Sequence, residues 1–370
     1  MKKLVYILSI LFLWVSCDNK NIYRITGQLS NLDDATLYAV YEASGANLID
    51  TVLCNEQGRF TVFREHEDDL QVITLYYNNR GQWITIYPEA GKPVKVKGDA
   101  RYPQLLQIKG GRINDKLNLF RQKAAPLFKE LADLQRENIE NAPLSDEKSI
   151  HATNLKLEIR KAVKDFITKN PDEEASAVLI YEYFAYPNEY EQTEDLLQIL
   201  SPEVNDFYLV KNMREEIEKI KTTAAGAKAP DFRVTNIYGQ TFTVDSFANK
   251  HFVLAFTALW CDMCQTEVMK LDNIISKYSK DSLDVLLISL DDEVKDIREM
   301  IRRDSIQWNL VADSAGQAIR LFDIYNVNSL PKCFLIGKEG IILLNTKNGE
   351  ELRRMVDEIF LSTQVTQIKE

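Results

Sequence analysis

The apolar run Phe252-Val253-Leu254-Ala255-Phe256 leads into Trp260-Cys261-Asp262-Met263-Cys264, and the residues from Glu267 to Tyr278 then repeat apolar side chains at helical spacing. No other feature limits the fold as strongly. A buried strand that hands over to a helix through a cysteine pair belongs to a central sheet covered by helices. The same arrangement predicts chemistry. Only a thiolate attacks a disulfide, and an ordinary cysteine with a pKa of about 8.5 is mostly protonated at neutral pH. At a helix N-terminus the unpaired backbone N–H groups and the macrodipole favour the anion. Cys261 stands there and is the expected nucleophile; Cys264, one turn on, is the expected resolving thiol that attacks Cys261 in a mixed disulfide. Trp260 is expected to shield the pair and to offer a flat apolar surface to a partner.

The flanking sequence fits that sheet. Phe232 to Thr235 and Thr241 to Val244 are expected to pair as a hairpin around Tyr238-Gly239. His251 to Thr257 and Val285 to Leu290 read as buried strands, and Cys333 to Ile336 and Ile341 to Asn345 as two more. Val294 to Arg303 and Glu350 to Leu361 read as helices. An α/β domain is therefore expected over 226–370, entered through the linker Gly226-Ala-Lys-Ala-Pro230.

Upstream the period changes twice. Short apolar or alternating runs between Tyr23 and Ile108 alternate with turn signals such as Asn55-Glu-Gln-Gly58 and Asn78-Asn-Arg-Gly81. They predict an antiparallel all-β sandwich or barrel over 17–110. From 111 to 225 the apolar residues Leu117, Phe120, Leu127, Leu131, Leu134, Leu155, Ile159, Val163 and Phe166 recur at three and four positions, which predicts an α-helical middle region. Asn141-Ala-Pro143 and Asn170-Pro171-Asp172 are expected to break it into separate helices.

Residues 1–16 join Met1-Lys2-Lys3 to an apolar run from Leu4 to Val15, the pattern of an export signal too short to span a bilayer. Ser16-Cys17 has the form of a bacterial lipoprotein signal, in which the cysteine becomes the lipidated first residue; an ordinary secretory signal with an incidental cysteine is the alternative. The expectation is an extracytoplasmic protein of the cell envelope, held at a membrane facing the periplasm by a lipid on Cys17, with inner and outer membrane both open. The net charge of −10 argues against a nucleic-acid partner. Of five cysteines, Cys54 and Cys333 stand alone, so this is no disulfide-stapled scaffold. The three histidines, His66, His151 and His251, lack metal-ligand spacing, and neither a metal nor a cofactor is expected.

Residues 226–370 resemble the thioredoxin-fold domain of the TlpA/ResA type, the membrane-tethered extracytoplasmic thiol-disulfide oxidoreductases. The resemblance rests on Gly226-Ala-Lys-Ala-Pro230-Asp231-Phe232, Tyr238-Gly239-Gln240, Trp260-Cys-Asp-Met-Cys264 and Asn328-Ser-Leu-Pro331 ahead of Cys333-Phe334-Leu335-Ile336. It implies a cis Leu330–Pro331 bond facing the cysteine pair, with Leu330 offering backbone groups to a substrate strand. It also implies that Glu267 tunes the active thiols. Implied partners are disulfide- or thiol-bearing client proteins and an upstream membrane electron donor. Residues 23 to about 120 resemble the small β domain (DUF4369-like) found ahead of this module in Bacteroidetes-type lipoproteins.

Three positions depart from that pattern. Asp262-Met263 separates the cysteines where relatives carry Pro in the second place, and a neighbouring carboxylate opposes thiolate formation, which leans toward a reductase. Ala255 stands where cytosolic thioredoxins bury an acid, and Val268 where Pro is usual. Cys333 and Cys54 read as small buried hydrophobes, Cys333 with exchange against Cys264 as its alternative. A peroxidase of the peroxiredoxin type is disfavoured, since Thr257 lies one position out. Two function classes stay open: a tethered thiol-disulfide oxidoreductase, and an envelope binding lipoprotein whose cysteine pair is structural or redox-inert.

Overall fold

The computed structural model describes residues 21–43, 46–66, 70–141, 145–291, 295, 299, 308–312 and 316–367. The signal over 1–16, Cys17, the break at 142–144 and nearly all of the helix expected over 294–303 lie outside these residues. The chain divides between Lys211 and Asn212 into two compact units.

Among the described residues of the first unit, eight strands form two four-stranded sheets. They are β1 (Asn21–Ser30), β2 (Thr36–Ala43), β3 (Ala46–Leu53), β4 (Arg59–His66), β5 (Leu70–Tyr77), β6 (Gln82–Ile86), β7 (Val94–Asp99) and β8 (Gln107–Lys109). One sheet runs β4-β1-β7-β8 and the other β3-β2-β5-β6. Alternate residues of both sheets, such as Ile25, Leu29, Leu37, Tyr41, Val62, Ile73, Leu75, Ile86 and Val96, share one buried core, as the period of a half-buried strand requires. The antiparallel expectation holds for every pair but one: β1 and β7 run parallel, Ile25 opposite Val94. Parallel neighbours need a long crossover, and here the connection between β1 and β7 is the rest of the sandwich itself.

Among the described residues six α-helices follow: α1 (Arg112–Lys123), α2 (Ala125–Asn141), α3 (Asp146–Lys169), α4 (Glu174–Phe184), α5 (Tyr190–Ile199) and α6 (Tyr208–Thr222). Ser145 caps α3 by accepting the Lys148 N–H, and α3 ends one residue before Asn170-Pro171. Leu117, Phe120, Leu155, Ile159 and Val163 are buried as the period implies. At two places the buried residue is the next one, Phe128 rather than Leu127 and Ile167 rather than Phe166. Buried Asn114 secures α1 by exchanging hydrogen bonds with the Tyr87 backbone, accepting its N–H at 3.1 Å and donating to its carbonyl at 2.7 Å.

The second unit holds the hairpin β9 (Arg233–Thr235) and β10 (Thr241–Thr243), then β11 (His251–Thr257), α7 (Asp262–Ile275), β12 (Leu283–Ser289) and β13 (Asn309–Val311). The chain continues through α8 (Gln317–Ile324), β14 (Lys332–Ile336), β15 (Ile342–Thr346) and α9 (Gly349–Gln367). The sheet order is β13-β12-β11-β14-β15, with β11, β12 and β13 parallel and β14 antiparallel to both of its neighbours, β11 and β15. Period-2 alternation assigns the two faces. Val253, Ala255, Val285, Leu287 and Leu335 pack with Val268 and Leu271 of α7 and with Leu352 and Val356 of α9. Phe252, Leu254, Phe256, Phe334 and Ile336 pack with Phe232, Val234, Leu321 and Tyr325 on the other face.

The segment expected to be a plain linker is pinned to the sheet edge. Gly226 N–H donates to the Ile342 carbonyl at 2.8 Å, Ile342 N–H to the Ala227 carbonyl at 2.9 Å and Ala229 N–H to the Gly340 carbonyl at 2.8 Å. An edge strand's free backbone groups draw a passing chain in this way. Among the described residues no helix is long and apolar enough to cross a membrane.

Candidate active site

Strand β11 is buried along nearly its whole length, so it leaves the sheet only at Thr257, and the loop 258–260 carries the chain up to α7. Cys261 is the N-cap of α7 in extended conformation, and its Sγ accepts the Cys264 N–H at 3.2 Å. The same N–H also donates to the Cys261 carbonyl at 2.9 Å, so the sulfur shares a first-turn donor of the kind expected to favour a thiolate there. Cys261 and Cys264 are joined by a disulfide with their Cα atoms 5.2 Å apart. The two sulfurs are unequal: Cys264 is fully buried and Cys261 half-buried. An incoming thiolate or disulfide therefore meets Cys261 first.

Trp260 and Met263, 71% and 69% exposed, flank the opening with apolar surface, and Asp262 is exposed beside them. The Leu330–Pro331 bond is cis, with Pro331 buried and Leu330 half-buried at the start of β14. Because β14 pairs with β11, that loop belongs to the same end of the sheet as the cysteines.

Glu267, to which the resemblance gives a part in tuning the thiols, is hydrogen-bonded on both carboxylate oxygens. Its Oε1 holds Lys270 at 2.7 Å and its Oε2 accepts the Gly349 N–H at 2.6 Å, so the carboxylate caps the first turn of α9. Gly349 suits this close approach, since a Cβ there would lie 2.5 Å from Glu267 Oε2 and the carboxylate would have to shift. The carboxylate thereby links α7 to the start of α9.

Cys333 lies opposite Ala255 in the β11–β14 pairing. Burial, with the Glu267 charge second, pushes its thiol up to about 12, which keeps it protonated and unreactive at neutral pH. Cys54 in the β sandwich is likewise pushed up to about 11, chiefly by burial. Both agree with the reading of these cysteines as small hydrophobes.

The sequence reading passed over Lys332, which follows the cis proline directly. Burial, and then the Lys347 charge, bring its amine down to about 8. Native Lys332 thus releases its proton near pH 8, whereas in the unfolded chain a lysine holds it to about 10.4. In that window the unfolded state binds more protons, so stability rises with pH. Urea midpoints of the parent should climb between pH 8 and pH 10, and Lys332→Met should abolish that climb; a parallel climb in the variant would assign it to another group.

The sequence reading also missed Asp291, at the end of β12. Its Oδ2 accepts the Leu259 N–H at 2.8 Å and the Ser289 hydroxyl at 2.5 Å. From the other side Gln265 Nε2 donates to the Leu259 carbonyl at 3.1 Å. The available signal was position: Ser289-Leu290-Asp291 ends a buried parallel strand, and the carboxyl ends of such strands are where α/β sheets place their sites.

Comparison with known proteins agrees with this geometry. Residues 225–344 match the AhpC/TSA family, and residues 23–117 match a domain of unknown function, DUF4369. The thiol-disulfide oxidoreductase ResA of Bacillus cereus (strain ATCC 10987 / NRS 248) is 26% identical over 163 residues, 44% of this chain and 90% of that protein. ResA of Geobacillus kaustophilus (strain HTA426) is 27% identical over 139 residues, 37% of this chain and 78% of that protein. Among solved structures, the C-terminal domain of a Bacteroides thetaiotaomicron protein assigned as a thiol-disulfide oxidoreductase is 30% identical, covering 37% of this chain and 97% of that one with a TM-score of 0.35. The second unit thus carries a thioredoxin-like domain homologous to the ResA thiol-disulfide oxidoreductases, in a chain whose first unit carries a DUF4369 β domain.

Proposed function

We propose that the protein reduces or exchanges disulfides of exported client proteins through a mixed disulfide at Cys261, which Cys264 resolves. The observation that carries this reading is the disulfide at the N-terminus of α7, with the half-buried Cys261 sulfur receiving the Cys264 N–H and the buried Cys264 behind it. In the reductive direction the Cys261 thiolate attacks a client disulfide, forms a new S–S bond and releases one client thiolate. Cys264 then attacks Cys261, the second client sulfur leaves as a thiolate that takes up a proton, and the Cys261–Cys264 disulfide is regenerated. A membrane-side electron donor returns the pair to the dithiol.

Cys261, Cys264 and the cis Pro331 loop are the proposed reacting and substrate-facing parts, with Trp260 and Leu330 offering contact surface to the client. The export pattern over 1–16 and the Ser16-Cys17 pair support an extracytoplasmic protein tethered by a lipid on Cys17 to a membrane facing the periplasm.

Cys264→Ala tests the mechanism, since it leaves the nucleophile without its resolving thiol. Cells expressing this variant should accumulate disulfide-linked adducts at Cys261 that collapse on reduction, visible as high-mass bands on non-reducing gels. Absence of adducts, while the variant is folded and abundant, would sink the mixed-disulfide reading and favour a structural cysteine pair.

A further inference from the structure

We propose that Asp291, assisted by Gln265, is a positioning residue for the redox pair: it grips Leu259 so that Cys261 remains at the N-terminus of α7 after the disulfide opens. This rests on the redox reading of Cys261 and Cys264.

The loop 258–260 joins a fully paired strand to a helix and has no ladder of its own. Ala258 is buried and Leu259 half-buried, so their backbone groups need partners in the protein. The Ala258 carbonyl accepts the Cys261 N–H at 3.2 Å. Leu259 has both its groups on side chains, the N–H on Asp291 and the carbonyl on Gln265. The residue two places before the nucleophile is therefore located by side-chain chemistry.

Asp291 is itself well anchored. The Leu290 N–H donates to the Thr257 carbonyl at 3.1 Å, which continues the β11–β12 pairing one step past the sheet. The Ser289 hydroxyl and the Leu259 N–H then converge on the same carboxylate oxygen. An ionised acceptor makes the stronger kind of hydrogen bond.

The consequence depends on redox state. In the oxidised protein the Cys261–Cys264 bond already restrains Cys261. Reduction removes that restraint, yet this is the state in which the Cys261 sulfur must stay on the Cys264 N–H to be held as a thiolate. The Asp291 grip does not depend on the disulfide, so its contribution is greatest in the reduced form. Losing it disfavours the thiolate and makes the couple more reducing.

The test uses the purified full chain and its Asp291→Ala, Asp291→Asn and Gln265→Ala variants, with Cys261 ionisation followed by the pH dependence of alkylation and the couple equilibrated against glutathione. In Asp291→Ala the thiolate fraction at neutral pH should fall about tenfold, and the dithiol–disulfide equilibrium should shift about tenfold toward the disulfide, about 30 mV. Asp291→Asn keeps an acceptor oxygen for the Leu259 N–H and should stay within about twofold of the parent. Gln265→Ala, on the exposed side, should move both readouts two- to threefold, by roughly the worth of one net hydrogen bond. A folded Asp291→Ala protein with unchanged ionisation and potential overturns the proposal, as does an Asn variant no better than the Ala variant. A parent with no measurable couple would overturn the redox reading and this inference with it, whereas a working couple unmoved by Asp291→Ala overturns the grip alone.

Discussion

Cys261→Ser should lower disulfide exchange by roughly 10^3-fold or more, the scale of loss when an enzyme's nucleophile is removed. The serine hydroxyl is of similar size, but it does not ionise near neutral pH and cannot enter a disulfide. Positioning survives the substitution while the chemistry does not. Cys264→Ser should behave differently: the first attack remains, and turnover stops at the covalent adduct. The asymmetry follows from exposure, since Cys264 is fully buried behind Cys261. Steady-state reduction of a disulfide peptide by the two variants, beside a single-turnover measurement of adduct formation, separates the roles. Exchange retained in Cys261→Ser and a missing adduct in Cys264→Ser would reverse the assignment.

The largest expected loss of stability lies in the β sandwich, at Gly58. Its backbone is left-handed, with φ at +67°, and an added Cβ would lie 1.9 Å from the Leu29 carbonyl oxygen and 3.0 Å from the Leu29 carbonyl carbon. The approach is enforced by a hydrogen bond between the Leu29 N–H and the Gly58 carbonyl at 3.0 Å. Backbone cannot swing away as the end of a side chain can, so Gly58→Ala must displace β1 or its turn. Gly91 is the control: its φ is +73°, and an added Cβ meets nothing within 4 Å. Gly91→Ala should cost only the left-handed penalty, about 1–2 kcal/mol. Gly58→Ala adds the collision and should reach on the order of 4 kcal/mol, the range reserved for specific steric failures. Denaturant unfolding of the two variants, followed by a probe in the β sandwich, checks the difference. Equal losses would show that the turn relaxes around the new methyl group.

Local patterns were legible where the period was uninterrupted. His251 to Thr257 reads as strand β11 residue for residue, because its run Phe252 to Phe256 is buried on both sides of the sheet and wholly apolar. The hairpin around Tyr238-Gly239 was legible because turn residues stand between two short alternating runs. Strand β13 was not, since three residues are too few to display a period, although Leu310 and Val311 are fully buried. Helix α8 was also passed over, and its Gly316 N-cap lacks the side-chain cap that marks a helix start in sequence. The parallel pairing of β1 with β7 is a non-local choice that no window of sequence contains.

At the site the division is similar. The cysteine pair, its place at a helix start and the proline ahead of β14 are sequence-local features, so their residue types and spacing sufficed to find them. Glu267 illustrates the limit. Its place six residues after Cys261 was readable, but its bond to the Gly349 N–H was not, because that bond exists only where α7 packs on α9. Asp291 illustrates the converse, with no sequence neighbour among the site residues and a bond to Leu259 that exists only because β11 and β12 are paired.

By itself the sequence determined a thiol pair on a strand-to-helix turn, because reactivity there needs only residue types at fixed spacing along one chain. The tertiary structure alone decided which groups surround that turn. Carboxylates, helix ends and buried amines far apart in sequence compete for the same partners, and the outcome is set by packing in three dimensions.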